Sequence, residues 1–208
     1  MDFKNFVLVF CNGEPPTRQR IKNLIPLPKL IACADGGANK AASLDYKPDL
    51  IIGDLDSFND EGKIFEEAEI IRVSSQENTD FEKTLSLLLD RGFHAFLVVA
   101  FSGGRIDQTL ANLQIACEYS KKSEIILADE NYMVFPVSER FETEILGGTE
   151  ISIIPMEDET NVTTNGLKYE LHRAFLKKGG RGISNSSLEN KIEITVHIGS
   201  VLVFIKNV

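Results

Sequence analysis

Residues 51–60 read IIGDLDSFND. The apolar run Leu50-Ile51-Ile52 stops at Gly53, and Asp54 and Asp56 follow one residue apart. A short continuous apolar run with turn residues behind it suits a strand buried on both faces. Two carboxylates at its end repel each other, so either a turn exposes them to water or something positive lies between them.

Runs of the same kind recur on both sides. They are FVLVFC (6–11), LIACA (30–34), DLIIG (49–53), IIRV (70–73), AFLVVAF (95–101) and EIILAD (124–129). Helical patterns lie between them near 17–24, 37–44, 61–68, 79–91 and 106–121. Continuous apolar strands separated by helices predict a mainly parallel sheet covered on both faces. The helix at 79–91 is the best specified. Thr79 with Glu82 makes a capping box, Phe81, Leu85, Leu88 and Leu89 form one apolar stripe, and Gly92 closes it.

Beyond about residue 130 the pattern changes. YMVFPV, FETEIL, EISIIP, NVTTNGLKYEL, IEITVHI and SVLVFI are short, rich in Val, Ile and Thr, and separated by Gly, Asn and Pro turns. They predict an antiparallel β-sandwich or small barrel. The expected fold class is therefore α/β followed by β, with an α/β domain over 1–133 and a β domain over 134–208.

Composition narrows the function. The chain has 208 residues, 43% of them hydrophobic and 25% charged, as expected of a globular protein. No apolar run approaches the roughly 20 residues of a membrane span. The segment from Phe6 to Cys11 is shorter than a signal-peptide core of about 7–15 residues. Cys11, Cys33 and Cys117 form no CxxC pair, so neither a zinc site nor a disulfide framework is suggested. A cytoplasmic location is expected. The net charge of −9, from 31 acids against 22 bases, argues against a nucleic-acid partner. An anionic ligand would have to be bridged by a metal or by a few placed Lys and Arg residues.

The polar residues with chemical potential sit after strand ends or where a loop enters a helix, the usual ligand edge of an open α/β sheet. The groups are Asp35-Gly36-Gly37, Asp54-Leu55-Asp56, Gly103-Gly104-Arg105-Ile106-Asp107, and Gln76, Thr79, Asp80 and Lys83 at the start of the capped helix. In extended chain Asp54 and Asp56 point the same way. Joined by Asp80, they suit a hard cation such as Mg²⁺, which takes oxygen ligands and keeps waters that phosphate can replace. The paired glycines let backbone N–H groups approach an anion, each pair ahead of a helix N-terminus. Arg105 offers a bidentate phosphate clamp and Lys83 a point charge.

Each feature alone has a plainer reading. An isolated Asp-x-Asp after a strand is more often turn chemistry, and Lys83 can pair with Asp80 along its own helix. Four such clusters at successive strand ends favour a metal–phosphate site over four separate turns. Neither GxxxxGK[ST] nor GxGxxG is present, so the phosphate cradle must be of another kind.

The ordered set DGGAN (35–39), PDLIIGDLDS (48–57), TDFEK (79–83), GGRIDQTLAN (103–112), VTTNGLKYEL (162–171) and GISN (182–185) resembles the thiamine pyrophosphokinase family. The resemblance spans nearly the whole chain. It implies an ATP- and Mg²⁺-binding α/β domain and a thiamine-binding β-sandwich, with transfer of the pyrophosphoryl group of ATP to the hydroxyl of thiamine. On that basis Asp54, Asp56 and Asp80 would hold Mg²⁺, and Asp35 and Asp107 would complete an acidic pocket that also suits the thiazolium cation. Gln76, Thr79, Lys83 and Arg105 would contact ATP or the transferred group. The family shares its site across a homodimer, so Ser184 and Asn185 would help place thiamine against the partner subunit's cleft.

Three departures stand out. Gln108 replaces a family His, so no titrating group is available there. Ser75-Gln76-Glu77-Asn78-Thr79-Asp80 keeps only Gln, Thr and the last Asp of the family's Asp-Gln-Asp-x-Thr-Asp. The chain has no Trp to stack on thiamine. Two alternatives follow: a related pyrophosphotransferase or nucleotide hydrolase with another acceptor, and a non-catalytic nucleotide- or thiamine-binding protein. The retained Asp54, Asp56, Asp80, Lys83 and Arg105 favour an enzyme.

Overall fold

The computed structural model describes residues 5–54, 65–73, 75 and 77–207. The chain divides into two compact units. The first runs to Ile115 and resumes over Lys122–Glu130; the second comprises Ala116–Lys121 and Asn131–Val208.

In the first unit the strands are β1 (Val7–Phe10), β2 (Leu30–Ala34), β3 (Leu50–Gly53), β4 (Glu69–Arg72), β5 (Ala95–Val99) and β6 (Glu124–Ala128). They lie in the order β6-β5-β1-β2-β3-β4, and every pair is parallel. The register aligns Val7 with Leu30 and Phe96, and Ala32 with Leu50. All carboxyl ends therefore fall along one edge. The four side chains of β1 are completely buried. That is why its sequence is an unbroken apolar run rather than an alternating one. Each such residue contributes about 1.5–3 kcal/mol of burial.

Among the described residues, four helices connect the strands: α1 (Arg18–Leu24), α2 (Gly37–Ser43), α3 (Asp80–Asp90) and α4 (Ile106–Tyr119). The Thr79 hydroxyl caps α3 by accepting from the Glu82 N–H at 3.2 Å. Phe81, Leu85 and Leu88 are buried as α3 packs on β2 and β3. The helical pattern near 61–68 is not matched over its described part. Residues 65–67 form a turn, and 61–64 lie outside the described residues.

The second unit is all β apart from the end of α4. One sheet places β12 (Asn185–Ser186), β9 (Glu150–Pro155), β14 (Val201–Lys206) and β7 (Tyr132–Val137) side by side; the other has the order β11 (Ala174–Leu176), β10 (Thr160–Asn165), β13 (Lys191–Ile198) and β8 (Arg140–Glu144). All of these pairings are antiparallel. Burial alternates along β9 and β13, with Ile151, Ile153, Ile192, Ile194 and Val196 turned inward. Phe135 of β7 and Phe141 of β8 meet with ring centroids 4.8 Å apart, joining the two sheets as a sandwich.

Candidate active site

Three segments of the first unit deliver carboxylates to one point. Asp35 follows β2, where its N–H donates to the Ile52 carbonyl at 2.8 Å and extends the ladder by one residue. The chain then turns with φ 43° at Asp35, a region that Asp enters more readily than most residues. Asp54 follows β3 directly, and Asp80 is the first residue of α3. Because β2 and β3 are neighbours and α3 lies on both, one ligand oxygen from each of Asp35, Asp54 and Asp80 falls within 4.8 Å of the others. Asp35 is buried; Asp54 and Asp80 are half-buried.

Like charges so close are costly. Two unit charges 4 Å apart interact by about 4 kcal/mol at an effective dielectric of about 20. A set of three carboxylate oxygens opening on a cleft fits a hard divalent cation such as Mg²⁺. Part of the charge is already balanced by Lys83, whose Nζ stands 2.9 Å from Asp80 Oδ1 and donates to the Val73 carbonyl at 3.3 Å. Its side chain is only 7% exposed.

The carboxylates face a cleft of about 390 Å³. Cys11 and Asn12 from the end of β1, Thr79 and Lys83 from α3, and Gln108 and Asn112 from α4 share its lining. Burial pushes the Cys11 thiol well above its ordinary range, so it is no nucleophile. Asn112 Nδ2 donates to the Phe101 carbonyl at 2.9 Å and anchors α4 beside the cleft.

The other expected residues fall into three groups. Asp56 and Gln76 lie outside the described residues. Gly36 caps α2 and Gly37 begins it, and a Cβ on Gly37 would stand 2.2 Å from the Phe10 carbonyl oxygen. Gly103 and Gly104 follow β5 with φ of 86° and 74°, conformations that favour glycine. Arg105 and Asp107 are exposed and bind each other through two hydrogen bonds, at 3.1 and 2.5 Å. That pairing holds the Asp107 carboxyl below and the Arg105 guanidinium above their usual ranges.

Ser184 and Asn185 belong to the second unit. Ser184 is exposed with φ 55°. The Asn185 amide is engaged with the Tyr169 backbone, accepting from its N–H at 3.0 Å and donating to its carbonyl at 2.8 Å.

Asn12 and Asn112 were not singled out from the sequence. Asn12 ends a strand as Asp35 and Asp54 do, but Asn-Gly reads first as a turn. Asn112 closes GGRIDQTLAN, two helical turns past the glycines, where the i+4 spacing from Gln108 puts it on the same helix face.

Residues 21–127 match the model described as thiamin pyrophosphokinase, catalytic domain, and residues 139–202 match thiamin pyrophosphokinase, vitamin B1 binding domain. Thiamine pyrophosphokinase 2 of Arabidopsis thaliana is 30% identical over 206 residues, covering 85% of this chain and 77% of that protein. Thiamine pyrophosphokinase 1 of Oryza sativa subsp. japonica is 29% identical over 213 residues, covering 85% and 80%. Among solved structures, thiamine pyrophosphokinase from Bacillus subtilis superposes with a TM-score of 0.83 at 18% identity, covering 97% of this chain and 99% of that one. Thiamin pyrophosphokinase from Candida albicans gives 0.82 at 21% identity, covering 98% and 89%. At those identities the structural likeness concerns the fold, whereas the two matched domain models and the plant relatives establish that the chain belongs to the thiamin pyrophosphokinase family.

Proposed function

We propose that this chain transfers the pyrophosphoryl group of ATP to the hydroxyl of thiamine, giving thiamine diphosphate and AMP. The observation that carries the reading is the convergence of Asp35, Asp54 and Asp80 within 4.8 Å in a cleft shared with Lys83 and the N-terminus of α3. Asp35, Asp54 and Asp80 are the residues that would hold Mg²⁺, together with Asp56. When bound, that ion neutralises phosphate charge and orients the chain of phosphates.

The protein's own groups position and exclude. Lys83 supplies a point charge to a phosphate oxygen. The α3 N-terminus, capped by Thr79, turns its partial positive end towards the same anion. Gln76 would contact ATP as the family resemblance implies. The backbone at Gly36-Gly37 and Gly103-Gly104 permits close approach of phosphate. Arg105 exchanges its partner Asp107 for the transferred group, and both side chains have the exposure to do so. The thiamine oxygen attacks the β-phosphorus, the bond from that phosphorus to the α–β bridging oxygen breaks, and AMP leaves with the bridging oxygen. The hydroxyl proton passes to a base in the cleft, where the available bases are carboxylates.

The proposal extends to a homodimer in which Ser184 and Asn185 of one subunit meet the cleft of the other, and to a cytoplasmic location. The first rests on the GISN segment and the second on three buried free thiols.

Incubating the purified protein with Mg-ATP and thiamine and resolving the nucleotides tests the reading. Equal amounts of AMP and thiamine diphosphate are expected. ADP as product, AMP without thiamine, or binding without turnover would each overturn it.

A further inference from the structure

We propose that Gly53 is a positioning residue for the carboxylate cluster: its missing side chain is the space that lets Asp35 stand beside Asp54. The inference rests on the metal reading of the site given above. A Cβ placed on Gly53 would lie 2.8 Å from Asp35 Cβ, 3.2 Å from its Cα and 3.4 Å from its Cγ. The first distance is shorter than carbon atoms tolerate, and neither segment can yield cheaply. Asp35 is pinned by its N–H on the Ile52 carbonyl at 2.8 Å and by the Ala38 N–H on its own carbonyl at 3.1 Å. Gly53 is pinned by the Val73 N–H on its carbonyl at 2.9 Å.

Backbone conformation does not explain this glycine. Gly53 closes β3 as an ordinary strand residue and is not among the residues with positive φ. Strand interiors disfavour glycine because it loses the most conformational entropy and packs nothing. What remains is contact: β2 and β3 run side by side with Ala34 opposite Ile52, so the residues that follow them, Asp35 and Gly53, abut at the head of the cleft. With alanine at 53, Asp35 must be pushed away, and its oxygen leaves the group it forms with Asp54 and Asp80.

Titration of the purified protein with Mn²⁺ alone, read from the signal of free Mn²⁺ in electron paramagnetic resonance, tests the inference. Gly53→Ala is expected to weaken Mn²⁺ binding by about 10–100-fold, the range for residues that orient metal ligands. Combined with Asp35→Asn, it should add nothing to the loss from Asp35→Asn alone, because both act through one carboxylate. Equal Mn²⁺ affinity of wild type and Gly53→Ala, or losses that simply multiply, would overturn the inference and leave the metal reading intact. No Mn²⁺ binding by the wild type would sink both. If Gly53→Ala does not fold, Asp35→Gly with Gly53→Ala decides: recovery of folding places the obstruction at Asp35, and failure to recover overturns it.

Discussion

The Lys83 ammonium reaches back one helical turn to Asp80, 2.9 Å away, while also donating to the carbonyl of Val73. It thus occupies, with an ammonium, one flank of a carboxylate cluster that a divalent cation would otherwise neutralise. The pair is well shielded, with Lys83 7% and Asp80 28% exposed, so it matters more than a surface ion pair.

Lys83→Ala should therefore destabilise the first unit by about 1–3 kcal/mol without divalent cation, because Asp80 is left part-buried among two other carboxylates. Mg²⁺ should narrow that difference by supplying the missing positive charge. Urea unfolding of wild type and variant, with and without Mg²⁺, measures both numbers. A gap that does not shrink with Mg²⁺ would separate Asp80 from the metal.

Asp54→Asn should have the opposite effect on stability. Removing one of three mutually repelling carboxylates leaves the metal-free protein as stable as the wild type or more so, while turnover falls on the order of 10²-fold or more. Thermal unfolding without metal and product formation with Mg-ATP and thiamine check the two halves. Loss of folding together with activity would mark Asp54 as structural.

The cluster also shows where reading the chain reaches its limit. Side-chain alternation pairs Asp54 with Asp56, both near in sequence. The structure pairs Asp54 with Asp35, 19 positions earlier, because β2 and β3 are hydrogen-bonded neighbours. Local periodicity carries no record of which strands adjoin; Asp35 enters the expected pocket through its place after a strand and through the family resemblance, and the β2–β3 pairing supplies its contact with Asp54. The parallel sheet itself was legible because buried strands such as Val7–Phe10 are apolar at every position. Two pieces of the sandwich were not: Ala174–Leu176 and Asn185–Ser186 are too short to display a period. The engagement of Arg105 with Asp107 is likewise a conformational choice between partners, which the residue types permit but do not specify.

Ion pairs outside the cleft add an acid-sensitive contribution to stability. Arg91 grips Glu69 through two hydrogen bonds of 2.7 Å, tying the end of α3 to the start of β4. The hydrogen bonds to Arg91 hold the Glu69 carboxyl below its ordinary value of 4.5, and those to Arg105 do the same for Asp107 from 3.8. A carboxyl with a depressed folded-state pKa stabilises above its unfolded value, and that contribution disappears as pH falls through the folded value. Arg91→Gln should therefore be less stable than wild type by a constant amount above about pH 5, with the difference closing as the pH drops further. Urea midpoints from pH 7 to 3 measure the closure. A difference that widened in acid would refute the assignment.

Asn185 offers a contrast with its neighbour. Its amide satisfies both the N–H and the carbonyl of Tyr169 and itself is 6% exposed, while Ser184 is exposed. Asn185→Ala should cost about 1–3 kcal/mol by leaving buried polar groups unmatched. Ser184→Ala, at an exposed hydroxyl, should stay within about 0.5 kcal/mol. The proposed function adds a kinetic arm: Ser184→Ala should raise KM for thiamine and leave KM for ATP unchanged. Denaturant unfolding and steady-state kinetics on the two variants separate the roles. Should Asn185→Ala retain full stability and lose only thiamine affinity, its hydrogen bonds to Tyr169 would be incidental to the fold and its amide would belong to the ligand.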